Sequence, residues 1–280
     1  MKEFNLKSLQ TDGYAVIKNL LSNEDIEHIR QDYEIKKSAA LAGGISNGNY
    51  NVLSGSKHCI DSKIAEVLKE LHKQTDLTVD FIKPSSMYWD TTLAGFGFHC
   101  DHESYYHWQD AYNSLNFWIP IIKPSTTELG LRIVPHSKLL EVCPDVTANH
   151  IIGKGALRFF KIDNNTWDLH DDENGNIHRL DVNFSKIAVV PEVGVGDAIV
   201  MRGDCIHKTN GRDGYRVAAS IVCSNSKKIL KKDQFVGGCH KKHSMIQHNP
   251  SEWSRILHEF GNSNELVLGT VYPPSWTIQL

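Results

Sequence analysis

The sequence has 280 residues, 40% of them apolar and 22% charged, with 30 lysines and arginines against 33 aspartates and glutamates. A formal charge of −3 lacks the basic footprint of a nucleic-acid-binding protein, and the apolar runs fall well short of the ~18–20 residues a membrane span needs. The six cysteines are scattered with no C-x-x-C pair, which argues against a disulfide framework and a structural zinc site. With no apolar signal-peptide core near the start, a cytoplasmic setting is expected.

In chain order, "GYAVIKNLL" (13–21) predicts a β-strand and "SNEDIEHIRQDYEI" (22–35) a helix. Ser22 with Asp25 three residues on has the form of a capping box, and Ile26, Ile29 and Tyr33 share one helical face. "GGISNGNYNVLSGS" (43–56) reads as a loop, and "DSKIAEVLKELHKQ" (61–74) as a second helix with Ile64, Val67, Leu68 and Leu71 as its apolar stripe. From about residue 79 the texture changes. "VDFIKPSSMYWD", "SLNFWIPII", "LRIVP", "GALRFFKI", "KIAVVPEV", "DAIVM" and "YRVAASIVC" are short β-type runs separated by turn signals, the pattern of a sandwich or barrel. "NPSEWSRILHEFG" (249–261) predicts a short helix capped at Ser251 and ended at Gly261. The expected organisation is a single domain over 1–280: an N-terminal strand and helices (1–78), a β core (79–224) and a C-terminal extension (225–280).

The chemistry concentrates in "FHCDHES" (98–104). His99 and Asp101 form H-x-D, and alternate residues of a strand point to one side, so both can aim at one metal ion. His207 lies 106 residues beyond Asp101, inside "GDAIVMRGDCIHKTNGRDGYRVAAS" (196–220). Two histidines and one carboxylate are the ligands of the facial triad of non-haem Fe(II) oxygenases, which leaves positions open for a chelating co-substrate and dioxygen. Nine residues after His207 comes Arg216, whose guanidinium fork suits a carboxylate held bidentately; the distal carboxylate of 2-oxoglutarate is a fitting partner. Ser220 would lie further along the same face.

In the order of these motifs the chain resembles the phytanoyl-CoA dioxygenase-like family of Fe(II)/2-oxoglutarate-dependent oxygenases. The resemblance runs from about residue 10 to about 224, through "TDGYAVIKNLLSNEDIEHIR", "FHCDHE", "FWIPIIKPSTTELGLRIVPHSK" and "VGVGDAIVMRGDCIHKTNGRDGYRVAAS". It implies a mainly β fold with flanking helices around a double-stranded β-helix, the jelly-roll or cupin-like core. It implies iron on His99, Asp101 and His207, and 2-oxoglutarate on Arg216. The activity implied is oxidation, foremost hydroxylation, of an unactivated C–H of a small-molecule substrate by O2, with release of succinate and CO2. A specialised metabolite or amino-acid derivative is favoured over a nucleic acid or membrane partner. Related halogenases lack the carboxylate, so Asp101 favours hydroxylation or another two-electron oxidation over halogenation. Two residues depart from the family pattern, His136 in "VPHS" and Leu129 in "ELG".

Other residues carry two readings each. Asn116 is a ligand for the 2-oxoglutarate C1 carboxylate or a plain strand polar residue. Tyr88 is a co-substrate ligand, with Trp89 then facing away, or a core tyrosine. Glu103, Tyr105 and Trp108 follow the H-x-D as substrate-binding loop residues at the barrel mouth or as an incidental surface loop. Cys205 reads as a buried hydrophobe, Cys100 as pointing away from His99 and Asp101, and "GCHKKH" (238–243) as an exposed loop. Competing functions are a cupin-like isomerase or hydrolase using another metal, a metal-free jelly-roll binding protein, and, within the oxygenase class, desaturation, cyclisation or epimerisation.

Overall fold

The structure is a computed structural model, and it describes residues 4–44, 49–83, 86–91, 96–211, 214–237, 242–243, 246–247 and 250–272. The N-terminal part comprises α1 (Ser8–Thr11), β1 (Tyr14–Ile17), α2 (Asn23–Ala42), β2 (Asn49–Asn51) and α3 (Ser54–Gln74). β1 ends before Asn19, whose φ of 52° turns the chain. α2 starts as its sequence dictates. Ser22 Oγ accepts from the Asp25 N–H at 3.1 Å, and Asp25 Oδ2 accepts from the Ser22 N–H at 2.9 Å. The helix runs seven residues beyond the expected end because "KKSAALA" consists of good helix formers, and no breaker comes before Gly43 and Gly44. α3 begins at Ser54, not at residue 61: Ile60 extends the stripe Ile64, Val67, Leu68 and Leu71 by one turn and is fully buried. Burial there overrides the loop-like look of "SGS".

The core strands are β3 (Phe81–Ile82), β4 (Met87–Asp90), β5 (Leu115–Ile122), β6 (Leu131–Val134), β7 (Leu157–Lys161), β8 (Thr166–Asp171), β9 (Asn176–Asp181), β10 (Ala198–Arg202), β11 (Ile206–Thr209) and β12 (Val217–Ser224). The main sheet has the order β1-β10-β5-β12-β4-β2, with β3 also on β12, and every pairing is antiparallel. A smaller sheet faces it. β6 pairs β11, and single bridges add His99 beside His207 and Val189 beside Ile133. Strands distant in sequence thus lie side by side, the mark of the double-stranded β-helix.

Alternation sorts the main sheet into two faces. Leu115, Phe117, Ile119 and Ile121 of β5, Ala198 and Val200 of β10, and Val217, Ala219, Ile221 and Cys223 of β12 pack under α2 and α3. Trp118, Ile199, Met201 and Ala218 point the other way. They fill the barrel with Leu131, Ile133, Val193 and Cys205. The outer side of the small sheet is covered by the segment after β6. There, two helical turns (His136–Val142 and Pro144–His150) and the three-stranded sheet β7-β8-β9 bury Phe98, Cys100, Leu139, Leu169, Phe184 and Ile206. "KIAVVPEV" is not a regular strand: Phe184–Ile187 is helical and only Val189 pairs. The C-terminal part, with β13 (Ile229–Lys231) paired to β14 (Glu265–Val267) and a helix at Pro250–Phe260, packs Phe235, Trp253, Phe260 and Tyr272 against Phe81 and Trp108. Ser251 lies inside that helix and not before it. Gly261, at φ 49°, ends it as expected. Lys242, expected in an exposed loop, is buried and donates to the carbonyls of Gln234 and Gly237; residues 238–241 lie outside the described residues.

Candidate active site

His99 and His207 face each other across the small sheet. Each N–H donates to the other's carbonyl at 2.9 Å, the narrow hydrogen-bonded pair of an antiparallel ladder. Their rings lie 4.4 Å apart between centroids. Asp101, two residues on from His99, presents Oδ1 4.0 Å from His99 Nε2 and 3.6 Å from His207 Nε2. One ligand atom from each of the three lies within 4.8 Å of the other two, and no other such cluster of three occurs among the described residues. Cys100, between the two, turns outward and its Sγ reaches the Asp204 carbonyl at 3.4 Å.

The tautomers are set by the backbone. His99 Nδ1 sits 2.7 Å from the Gly97 carbonyl, and His207 Nδ1 sits 3.0 Å from the Cys205 carbonyl. A carbonyl can only accept, so each Nδ1 carries the proton and each Nε2 keeps its lone pair for a metal. Burial, and then the neighbouring His207, lower the His99 pKa to about 4; the ring is neutral at physiological pH, as a ligand must be.

Arg216 precedes β12 and is 7% exposed. Its Nη1 donates to the Leu129 carbonyl at 3.1 Å and the Gly130 carbonyl at 3.4 Å, and the guanidinium lies 5.4 Å over the Trp118 ring. Nε is buried without a partner, and no carboxylate among the described residues forms an ion pair with Arg216. Burial lowers its pKa to about 10. Asp90 partly offsets that burial, and a buried cation with no acid in contact calls for one. Leu129, one of the two departures from the family pattern, supports Arg216 through a carbonyl presented at φ 51°. His136, the other departure, is buried with Nε2 3.2 Å from the Asp204 carbonyl. The Asp204 side chain takes bonds from Arg202 Nε at 3.0 Å, from Arg202 Nη2, and from the Gly153 N–H at 2.6 Å. Both departures thus serve the turns that hold His207 and Arg216.

Several expected site residues sit elsewhere. Tyr88 is paired with Ala219 on the helix-facing side of the sheet, packs in the core there, and its hydroxyl donates to Asp32 Oδ2 at 2.6 Å. Its neighbour Trp89 takes the inner face instead, contrary to expectation. "MYWD" places aromatics at both parities, so the pattern alone could not tell them apart. Trp89 contacts Phe96 edge-on at 6.3 Å, and Phe96 lies 5.5 Å from the His99 ring while remaining 54% exposed. This aromatic edge beside the triad carried no spacing signal. Trp108 is fully buried against Phe81 in the C-terminal cluster, not at a mouth. Tyr105, in the short helix α4 (His102–Tyr106), hydrogen-bonds Glu173 of the β8–β9 turn. Glu103 lies on α4, but its side chain falls outside the described residues. Asn116 and Ser220 do face the barrel interior, with partners described below.

The fold and the cluster together define a jelly-roll barrel with one His-Asp-His cluster that could hold a metal ion between its two sheets. Residues 9–218 match the model of the phytanoyl-CoA dioxygenase (PhyH) family, and the chain belongs to that family. It is a 2-oxoglutarate-dependent non-haem iron enzyme. Among solved structures, the chain is similar in fold to the non-heme alpha ketoglutarate dependent carbocyclase SnoK from nogalamycin biosynthesis: 14% identity, 85% of this chain and 88% of that chain covered, TM-score 0.53. EctD from S. alaskensis with 2-oxoglutarate and 5-hydroxyectoine is 14% identical, with 84% and 78% covered and a TM-score of 0.53. EctD from S. alaskensis with bound Fe is 16% identical, with 83% and 79% covered and a TM-score of 0.52. No curated protein matches the sequence significantly. No helix among the described residues is long and apolar enough to cross a membrane.

Proposed function

We propose that the chain hydroxylates an unactivated C–H of a small molecule, with Fe(II) on His99, Asp101 and His207 and with 2-oxoglutarate anchored by Arg216. The convergence of three ligand atoms within 4.8 Å on the barrel's inner face carries this reading. The donor set fits Fe(II): two neutral imidazoles and one carboxylate leave the site charge near +1 and positions open for co-substrate and O2. When bound, iron and 2-oxoglutarate would activate O2, the oxidant: 2-oxoglutarate gives two electrons and leaves as succinate and CO2 with one oxygen atom, and the other oxygen atom enters the substrate C–H.

The protein's part is positioning. The Gly97 and Cys205 carbonyls hold the two imidazoles in the ligating tautomer. Arg216, braced by the Leu129 and Gly130 carbonyls and by Trp118, offers its buried Nε edge to the distal carboxylate. Trp89 and Phe96, beside His99, give the substrate an apolar wall at the mouth. An isomerase or hydrolase on a similar metal site has no need of a buried arginine lacking an acid, which favours the oxygenase. The chain acts as one domain, the C-terminal part closing over Phe81 and Trp108. A cytoplasmic location accords with five described cysteines that are all free.

The test is an anaerobic titration of metal-free protein with Fe(II) and then 2-oxoglutarate, read by the visible charge-transfer band of the chelate. The band is expected in the wild type and lost in Asp101→Ala. Iron binding without a band would remove Arg216 from its assigned role; no metal binding would leave a jelly-roll without this chemistry.

A further inference from the structure

Asn116 sits on the inner face of β5 and Ser220 on the adjacent strand β12. Asn116 Nδ2 donates to Asp101 Oδ2 at 2.8 Å, and Ser220 Oγ donates to Asn116 Oδ1 at 2.8 Å. The directions are fixed by chemistry. A carboxylate only accepts, so the amide must turn its NH2 to Asp101. Its carbonyl then faces Ser220, whose single O–H proton is spent there. The chain Ser220 to Asn116 to Asp101 runs one way. It holds the carboxylate oxygen on the side away from the imidazoles, while Oδ1 stays on the side of both Nε2 atoms.

We infer that Asn116 and Ser220 are positioning residues that clamp Asp101 as a one-oxygen metal ligand, and are not ligands of 2-oxoglutarate. The inference rests on the iron assignment above and deepens it. A carboxylate free to rotate can offer both oxygens to the ion and fill a position that the co-substrate or O2 needs. The clamp occupies Oδ2 and prevents this. It also joins the metal site to the two central strands of the main sheet, so that the loop carrying Asp101 is held from across the barrel. Partners of this kind, one bond removed from the ion, typically change metal affinity by about 10–100-fold.

The experiment measures anaerobic Fe(II) binding by calorimetry for the wild type, Asn116→Ala, Ser220→Ala and the double variant. 2-Oxoglutarate binding is then measured at saturating Fe(II). Asn116→Ala is expected to weaken Fe(II) by about 10–100-fold, with 2-oxoglutarate affinity little changed. Ser220→Ala should act in the same direction but less, and add nothing on the Asn116→Ala background, because the two form one relay. A merely structural role would lower the melting temperature without this non-additive loss of metal affinity. Unchanged Fe(II) affinity with weakened 2-oxoglutarate binding would overturn the inference and make Asn116 a co-substrate ligand. Additive losses would break the relay. Should the wild type bind Fe(II) no better than Asp101→Ala, the iron assignment itself fails, an outcome distinct from a neutral Asn116.

Discussion

The two faces of the main sheet treat polar groups in opposite ways. On the helix-facing side, buried acids pair with phenols: Tyr88 with Asp32 at 2.6 Å, and Tyr33 with Asp90 at 2.9 Å and with the Tyr215 hydroxyl at 2.6 Å. Burial, and then the hydrogen bonds to Tyr215 and Asp90, push the Tyr33 phenol far above its usual range, so it stays a donor. On the inner face His99, His207 and Arg216 are each held by one edge only. His99 and His207 spend Nδ1 on carbonyls and keep Nε2; Arg216 spends Nη1 and keeps Nε. Groups that pair with one another inside the core stabilise a fold. Groups satisfied on one side, in a partly buried site, are prepared for something that arrives later.

Four measurements would break or sharpen this contrast. The largest effect is expected on the inner face, where Asp101→Ala should abolish O2-dependent succinate release while the melting temperature stays close to that of the wild type. Retained turnover would remove Asp101 from the site. Next, Arg216→Ala should raise the KM for 2-oxoglutarate by roughly 100-fold, the loss of two charge-assisted hydrogen bonds at ~1.5 kcal/mol each. An unchanged KM would mean that the buried Nε edge has another purpose.

On the outer face the pattern should invert. Tyr88→Phe leaves Asp32 with one donor fewer and should cost about 1–3 kcal/mol of stability, read by denaturant unfolding, with the KM for 2-oxoglutarate unchanged. A change in KM without a loss of stability would place Tyr88 back among the co-substrate ligands. The smallest effect concerns acid. Burial lowers the His136 pKa below its ordinary value, against the opposing pull of Asp204. The unfolded chain therefore takes up a proton near pH 6.5 that the folded chain refuses, and stability should fall as pH drops below that point. In His136→Gln this part of the pH dependence should flatten; a slope identical to that of the wild type would assign the acid sensitivity to other groups.

Much of the site was legible in the residue order. H-x-D obeys strand alternation, and His207 and Arg216 were read from the order of their motifs, so the four residues of the candidate site were proposed together. The capping box of α2 and the glycine stop at Gly261 were equally local. What failed was parity and burial. Tyr88 and Trp89 are adjacent aromatics, and only the pairing of β4 with Ala218 and Ala219 decides which one turns inward. Trp108 sits in a loop-like run seven residues after Asp101, yet the C-terminal helix folds back over it. Asn116 and Ser220 were read as inward polar residues, but their hydrogen-bonded chain to Asp101 was not legible, because it depends on distances across the barrel.

The sequence by itself therefore determined the candidate ligand types and their order, since alternation, capping and charge pairing act within a few residues. Only the tertiary structure decided which face each aromatic takes, what Arg216 lacks, and which group holds Asp101. Those depend on strands that meet from positions about a hundred residues apart, where no local rule operates.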